Sequence, residues 1–279
     1  MSSRTLLLTM IAMLAFAGNS LLCRLALKTT SIDPASFTSL RLLSGALMLA
    51  ILLRLRHTKA PAAGSWSGAA ALFIYAAAFS FAYVSLDAGA GALLLFGAVQ
   101  ISMLLWGLYQ GERPGPLSLV GLLMAFAGLL VLLLPGASAP PLGASLLMIV
   151  AGVAWGAYSL LGRGSSDPLA ATASNFVRSV PLTATLSLAF LYTAQWHSLG
   201  ALYAVASGAL ASALGYAIWY SAIRDLKAIQ ASTVQLSVPI ITALAGALLL
   251  GEALTLRLSL SAIAVLGGIA LVLGNRQRD

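Results

Sequence analysis

Apolar residues gather into ten runs along the chain, at about 5–27, 34–53, 66–86, 88–109, 117–134, 142–161, 168–192, 199–222, 228–250 and 256–274. A helix needs roughly 20 such residues to cross about 30 Å of hydrocarbon. Polar and basic residues collect between the runs, and no connection is long enough to hold a soluble domain. The first run follows Arg4 and has small residues at 15–18, as a signal peptide would. It is too long for the apolar core of such a peptide, and further runs follow, so it is read as a span. Two runs open with the same pair, Asp33-Pro34 and Asp167-Pro168. A carboxylate at the N-cap followed by proline at the first helical position is a strong helix start.

The pattern repeats. An offset of 140 superposes Gly111-Glu112 on Gly251-Glu252, Leu104 on Leu244, Leu108 on Leu248 and Gly128 on Gly268. Upstream, Phe16-Ala17-Gly18-Asn19 aligns with Ala154-Trp155-Gly156 at an offset of 138. The chain therefore divides into a five-helix repeat at 1–135, a linker at 136–141 and a second five-helix repeat at 142–279. An odd number of spans per half turns the halves over relative to each other. With the N-terminus inside, the inner ends carry Arg4, Arg54, Arg56, Lys59, Arg113, Arg163, Arg224, Lys227, Arg276 and Arg278; the outer ends carry Arg24, Lys28 and Arg257. That bias obeys the positive-inside rule. The expected fold is an all-α integral membrane protein, with ten transmembrane helices in two inverted-topology repeats around a central cavity. Both termini are expected to be cytoplasmic.

Composition agrees. Hydrophobic residues make up 60% and charged residues 8% of the 279, whereas soluble proteins carry about 25% charged residues. The net charge of +8 does not point to nucleic acid, because the basic residues sit at the ends of runs rather than on one patch. The single Cys23 excludes an internal disulfide, and His57 and His197 are isolated, so neither metal nor cofactor is expected.

Candidate chemistry lies inside the runs. Tyr75, Phe79 and Tyr83 recur every four residues and share a helical face; Tyr216, Trp219 and Tyr220 form a second cluster. Together they suggest a cavity wall that takes apolar side chains or cations over the rings, although helix packing would use the same residues. Asn19, Gln100 and Gln235 are mid-run amides, which must face protein or water. An amide can serve both charges of a zwitterion; it can also join helices. Trp155 and Tyr158 stand where the second half repeats the Asn19 region. Ser232 and Ser237 lie near Pro239, which breaks its run and frees a carbonyl. Arg41 and Arg178 are charges well inside runs, read either as substrate contacts or as latches. Asp33, Asp87 and Asp167 are possible gate partners, while Glu112 and Glu252 read as helix-end residues that mark the repeat. No carboxylate and no lysine lies in the middle of a run.

An aromatic-Gly motif in the first helix of each half, a Pro…Arg second helix and a Gly-Glu pair before the fifth resemble the EamA-type permeases of the drug/metabolite transporter superfamily. The resemblance covers nearly the whole chain, and size and layout are similar to the bacterial exporters of aromatic and neutral amino acids. It implies that the first four helices of each half line the cavity and that the fifth is peripheral. Pro239 departs from the internal symmetry, since Val99 stands at the matching position. The implied function is export of amino acids across the bacterial inner membrane by alternating access, with a small-molecule substrate, the lipid bilayer and a possible homo-oligomer as partners. Another small metabolite or drug is the alternative substrate. An intramembrane enzyme lacks a catalytic constellation here: there is no G-x-S-x-G, no H-E-x-x-H and no paired intramembrane aspartates.

Overall fold

A computed structural model describes residues 3–56, 64–111, 115–162, 165–222, 226 and 234–275. These residues fold into helices α1 (Ser3–Thr29), α2 (Pro34–Leu55), α3 (Trp66–Tyr83), α4 (Ala88–Tyr109), α5 (Pro116–Leu133), α6 (Leu142–Leu161) and α7 (Pro168–Ala189). After a 3-10 turn at Leu191–Thr193 come α8 (Ser198–Ala206), a π-helical segment (Ser207–Leu214), α9 (Gly215–Ala222), α10 (Ser237–Leu250) and α11 (Leu256–Asn275). Among the described residues there is no strand. Eight stretches are long and apolar enough to cross a membrane, with Ser198–Ala222 continuous through the π segment, and Ser237–Leu250 is a shorter apolar helix. The chain is a multi-pass membrane protein. Glu112, Arg163 and Ser232 lie outside the described residues.

The helix ends follow the local chemistry. Asp33 caps α2, accepting from the amides of Ala35 at 3.0 Å and Ser36 at 2.9 Å. Asp167 caps α7 through the amide of Ala170 at 3.1 Å. Each supplies an acceptor to the donors a helix start leaves unpaired. Gly251 ends α10 with φ +64°, a left-handed conformation that glycine adopts without a Cβ clash. The ninth run is interrupted just before Pro239: a turn at Leu236 separates the helical residues 234 and 235 from α10. Pro239 is the third residue of α10, in the first turn, where a missing amide hydrogen costs no bond.

Small residues set the packing. α5 and α11 lie against each other where Gly121 faces Gly268: a Cβ on Gly121 would stand 2.5 Å from the Gly268 carbonyl oxygen. Gly128 meets Ala264 and Val265 of α11, and Gly267 meets Met124 of α5. These glycines make close contacts within the chain. Gly152 of α6 sits on Leu95 and Ala98 of α4 in the same way. Apolar side chains such as Leu6, Met10 and Leu14 of α1 and Leu119, Leu123, Phe126 and Leu130 of α5 are exposed. Such faces suit lipid, where close helix contact and not apolar burial drives association.

Candidate functional site: a cavity behind a charge cluster

A cavity of about 430 Å³ lies within the bundle, in the range of ~300–1,000 Å³ usual for small-molecule sites. Its lining comes from α1, α3, α4, α6, α7, the π segment, α9 and the start of the α10 region. Nothing from α5 or α11 reaches it. Nine of the residues singled out from the sequence meet on this surface: Asn19, Tyr75, Gln100, Trp155, Tyr158, Tyr216, Trp219, Tyr220 and Gln235. The lining extends to Gly162, Ser165 and Pro168 at the α6–α7 turn, where Gly162 is exposed.

Trp155 is the centre of the aromatic wall. Its ring centroid lies 4.8 Å from Tyr75, 5.3 Å from Tyr158 and 5.3 Å from Tyr216. Phe16 extends the wall to Trp219 at 6.0 Å. Offset and tilted pairs at these separations are the favourable aromatic arrangements.

The hydroxyls and amides form two chains. In the first, Ser207 Oγ donates to Asn19 Oδ1 at 2.7 Å, and Asn19 Nδ2 donates to Tyr75 Oη at 3.2 Å. Arg41 Nη2 also donates to Tyr75 Oη, at 3.0 Å. In the second, Tyr158 Oη donates to Thr172 Oγ1 at 3.3 Å, and Thr172 Oγ1 and Tyr220 Oη are 3.1 Å apart.

Phe79 and Tyr83 are not part of the wall. Each four-residue step along α3 advances about 6 Å and turns about 40°, which carries them away from Tyr75 and out of the cavity. Both are fully buried. Tyr83 donates to the Ala88 carbonyl at 3.3 Å, and Phe79 packs edge-on against it at 4.7 Å. The ring faces of Tyr75 and Phe79 already carry a cation, because the Arg41 guanidinium carbon lies 5.1 Å and 4.9 Å from their centroids. The expectation that these rings receive a substrate cation is corrected accordingly. Ser237 donates to the Val234 carbonyl at 2.7 Å and does not line the cavity.

A charge cluster joins three segments at the C-terminal end of α1. Arg24 Nε lies 2.9 Å from Glu252 Oε1 and Arg24 Nη2 lies 3.0 Å from Asp87 Oδ1. Arg24 Nη1 donates to the carbonyls of Tyr83 at 3.1 Å and Val84 at 3.0 Å. Glu252 Oε2 accepts from the first amide of α4, Ala88, at 2.7 Å, and Lys28 Nζ stands 3.6 Å from Oε1. One arginine thus ties α1, the α3–α4 turn and the α10–α11 turn together. At the C-terminal end of α2, Arg56 and the α7 cap residue Asp167 make a half-exposed pair at 3.3 Å.

Sequence reasoning missed Arg24 as the organiser of this cluster, since it sits at the end of a run among ordinary flanking charges. It also missed Asn175, a cavity-lining amide on α7 that accepts from the Ser65 amide at 2.9 Å. Asn175 carries the same signal as Asn19, an amide inside a run, but its run is more polar. Ser212 gave no signal, because its place depends on the π segment.

The EamA-like transporter family matches residues 3–134 and again residues 142–274. The chain is 65% identical to an uncharacterized protein of Pseudomonas aeruginosa, over 98% of this chain and 96% of that one. An uncharacterized transporter of Archaeoglobus fulgidus is 25% identical over 97% of this chain and 98% of its own length. A solved crystal structure superposes with a TM-score of 0.66 at 19% identity, covering 100% of both chains, and so shares the fold.

Proposed function

This chain belongs to the EamA-like transporter family, and we propose that it exports neutral and aromatic amino acids across the bacterial inner membrane by alternating access. The observation that carries this reading is the cavity: about 430 Å³, lined by aromatic rings and amides drawn from both halves of the chain. Stacked rings at Trp155 suit an apolar or aromatic side chain. The amides of Asn19, Gln100 and Gln235 suit the polar end of an amino acid, since an amide both donates and accepts.

We read the two matched segments as inverted repeats of five helices each, 1–135 and 142–279, with both termini cytoplasmic. The meeting of the α1 end with the α10–α11 turn, and of the α2 end with the α7 start, supports antiparallel halves. In that orientation the Arg24 cluster closes the outer side and the cavity faces inward. Rocking of one half against the other would break the cluster and open the opposite side. With no carboxylate among the described lining residues, efflux down the solute gradient is the simplest energetics.

The test is a flux assay with the purified full chain in liposomes. Exchange of labelled phenylalanine, tryptophan or leucine is expected. No flux of any amino acid, beside clear flux of a nucleotide-sugar or sugar phosphate, would overturn the assignment.

A further inference from the structure

We propose that the floor of the cavity is an anion site, which makes the protein accept solutes bearing a carboxylate or similar anionic group and reject cations. The inference rests on the reading of this cavity as the transport site.

Arg41 lies on α2 and is 2% exposed. A guanidinium stays protonated in proteins and carries five N–H donors. Here Nη2 reaches the Tyr75 hydroxyl, while Nε and Nη1 have no acceptor among the described residues. No carboxylate among the described residues pairs with Arg41. The ring faces of Tyr75 and Phe79 offset part of its charge, but they leave two of its buried donor nitrogens without a protein acceptor among the described residues. A buried charge without a counter-ion is costly, and a visiting anion would supply one.

The route to that anion is the shared hydroxyl. Tyr75 lines the cavity and stands between it and Arg41. A second, independent observation points to the same floor. Ser212 is 1% exposed, lines the cavity, and its Oγ has no partner among the described residues. The π segment delivers it: Ser207 bonds Asn19 from the segment's first residue, and Ser212 follows five residues later, one π turn along. Asn19, Tyr75 and Ser212 thus offer polar groups beneath the aromatic wall, with Arg41 behind them. Among the described residues, no Asp, Glu, Lys, Arg or His lines the cavity, so none of them competes for the arginine or attracts an amine there. Charge preference is therefore set from the second layer, by a field that favours anions and opposes cations in a low-dielectric interior.

The experiment measures binding of benzoate and of benzylamine, equal in size and opposite in charge, to the purified full chain at constant ionic strength, by thermal shift. Benzoate is expected to stabilise the protein and to bind about tenfold or more tightly than benzylamine. Arg41→Met should abolish the difference, and Arg41→Lys should keep part of it. Equal binding of the two probes, stronger binding of benzylamine, or an unchanged benzoate preference in Arg41→Met would overturn the proposal. If Arg41→Met does not fold, the wild-type comparison still decides, and Tyr75→Phe, which removes the linking hydroxyl, should weaken benzoate about fivefold. These outcomes are separate from the flux assay: an Arg41-dependent benzoate response without amino-acid flux leaves the anion site standing and removes the amino-acid assignment.

Discussion

Arg24 and Glu252 are 228 residues apart in the chain and 2.9 Å apart in space. Their side chains are only 8% and 5% exposed. The pair joins α1 to the α10–α11 turn, and Glu252 also caps α4 at Ala88. Removing one partner of a buried pair typically costs ~3–5 kcal/mol, because the other charge is left uncompensated. Glu252→Gln should therefore lower the melting temperature in detergent clearly, and Arg24→Glu with Glu252→Arg should recover part of the loss. A single variant that melts like the parent would show the cluster to be energetically idle.

Cys23 adjoins Arg24, is fully buried, and is the only cysteine of the chain. It is a built-in reporter of opening. In the parent it should react slowly with a membrane-impermeant thiol reagent. Glu252→Gln, by weakening the closed state, should raise the labelling rate about tenfold, as a shift of ~1.4 kcal/mol between two states requires. Equal rates in the two proteins would mean that the cluster does not hold that end shut.

Asn19 and Tyr83 separate cavity from scaffold. Asn19→Ala should cut flux per folded molecule, because Asn19 lines the cavity and links Ser207 to Tyr75. Tyr83 is 0% exposed and outside the lining. Tyr83→Ala should instead cost ~3–5 kcal/mol of stability, as large aromatic truncations in packed interiors do. Its flux per folded molecule should be near that of the parent. Flux paired with a melting curve distinguishes the two effects.

Gly268 and Gly121 bring α11 and α5 into backbone contact. Gly268→Leu should destabilise the monomer by ~1–3 kcal/mol or more through overpacking. Its particle mass by light scattering should not differ from that of the parent. A change of mass without a change of stability would instead assign these glycines to an interface between copies.

Asp33 lies at the α2 start, outside the spans, and gives a pH dependence with a definite sign. Partial burial tends to raise its pKa, but hydrogen bonds from Ser36, Gln195 and Ala35 prevail and hold the carboxyl below its ordinary value. A depressed folded pKa means that the stabilisation is present above the unfolded value, near ~3.9, and is lost as pH falls through the folded pKa. Asp33→Ala should cost about 1 kcal/mol at neutral pH, the usual worth of an N-cap. The melting difference from the parent should shrink below about pH 4.

The sequence by itself determined the membrane class, because 8% charge cannot cover a water-exposed surface. It determined the helix starts at Pro34 and Pro168, because capping is local chemistry. It also pointed to most of the residues that line the cavity, since polar and aromatic side chains inside apolar runs must find protein or water. The tertiary structure decided what periodicity cannot. Tyr75, Phe79 and Tyr83 share a helical face, yet only Tyr75 reaches the cavity, because a helix face has length and drift as well as direction. Glu252 read as a mark of the repeat; it is a partner of Arg24, a contact between residues far apart in the chain. Arg41 left two readings open, substrate contact or latch. Only the packing of α2, α3 and the π segment shows a cation with ring faces on one side, two buried donor nitrogens without a protein acceptor among the described residues and a cavity one hydroxyl away.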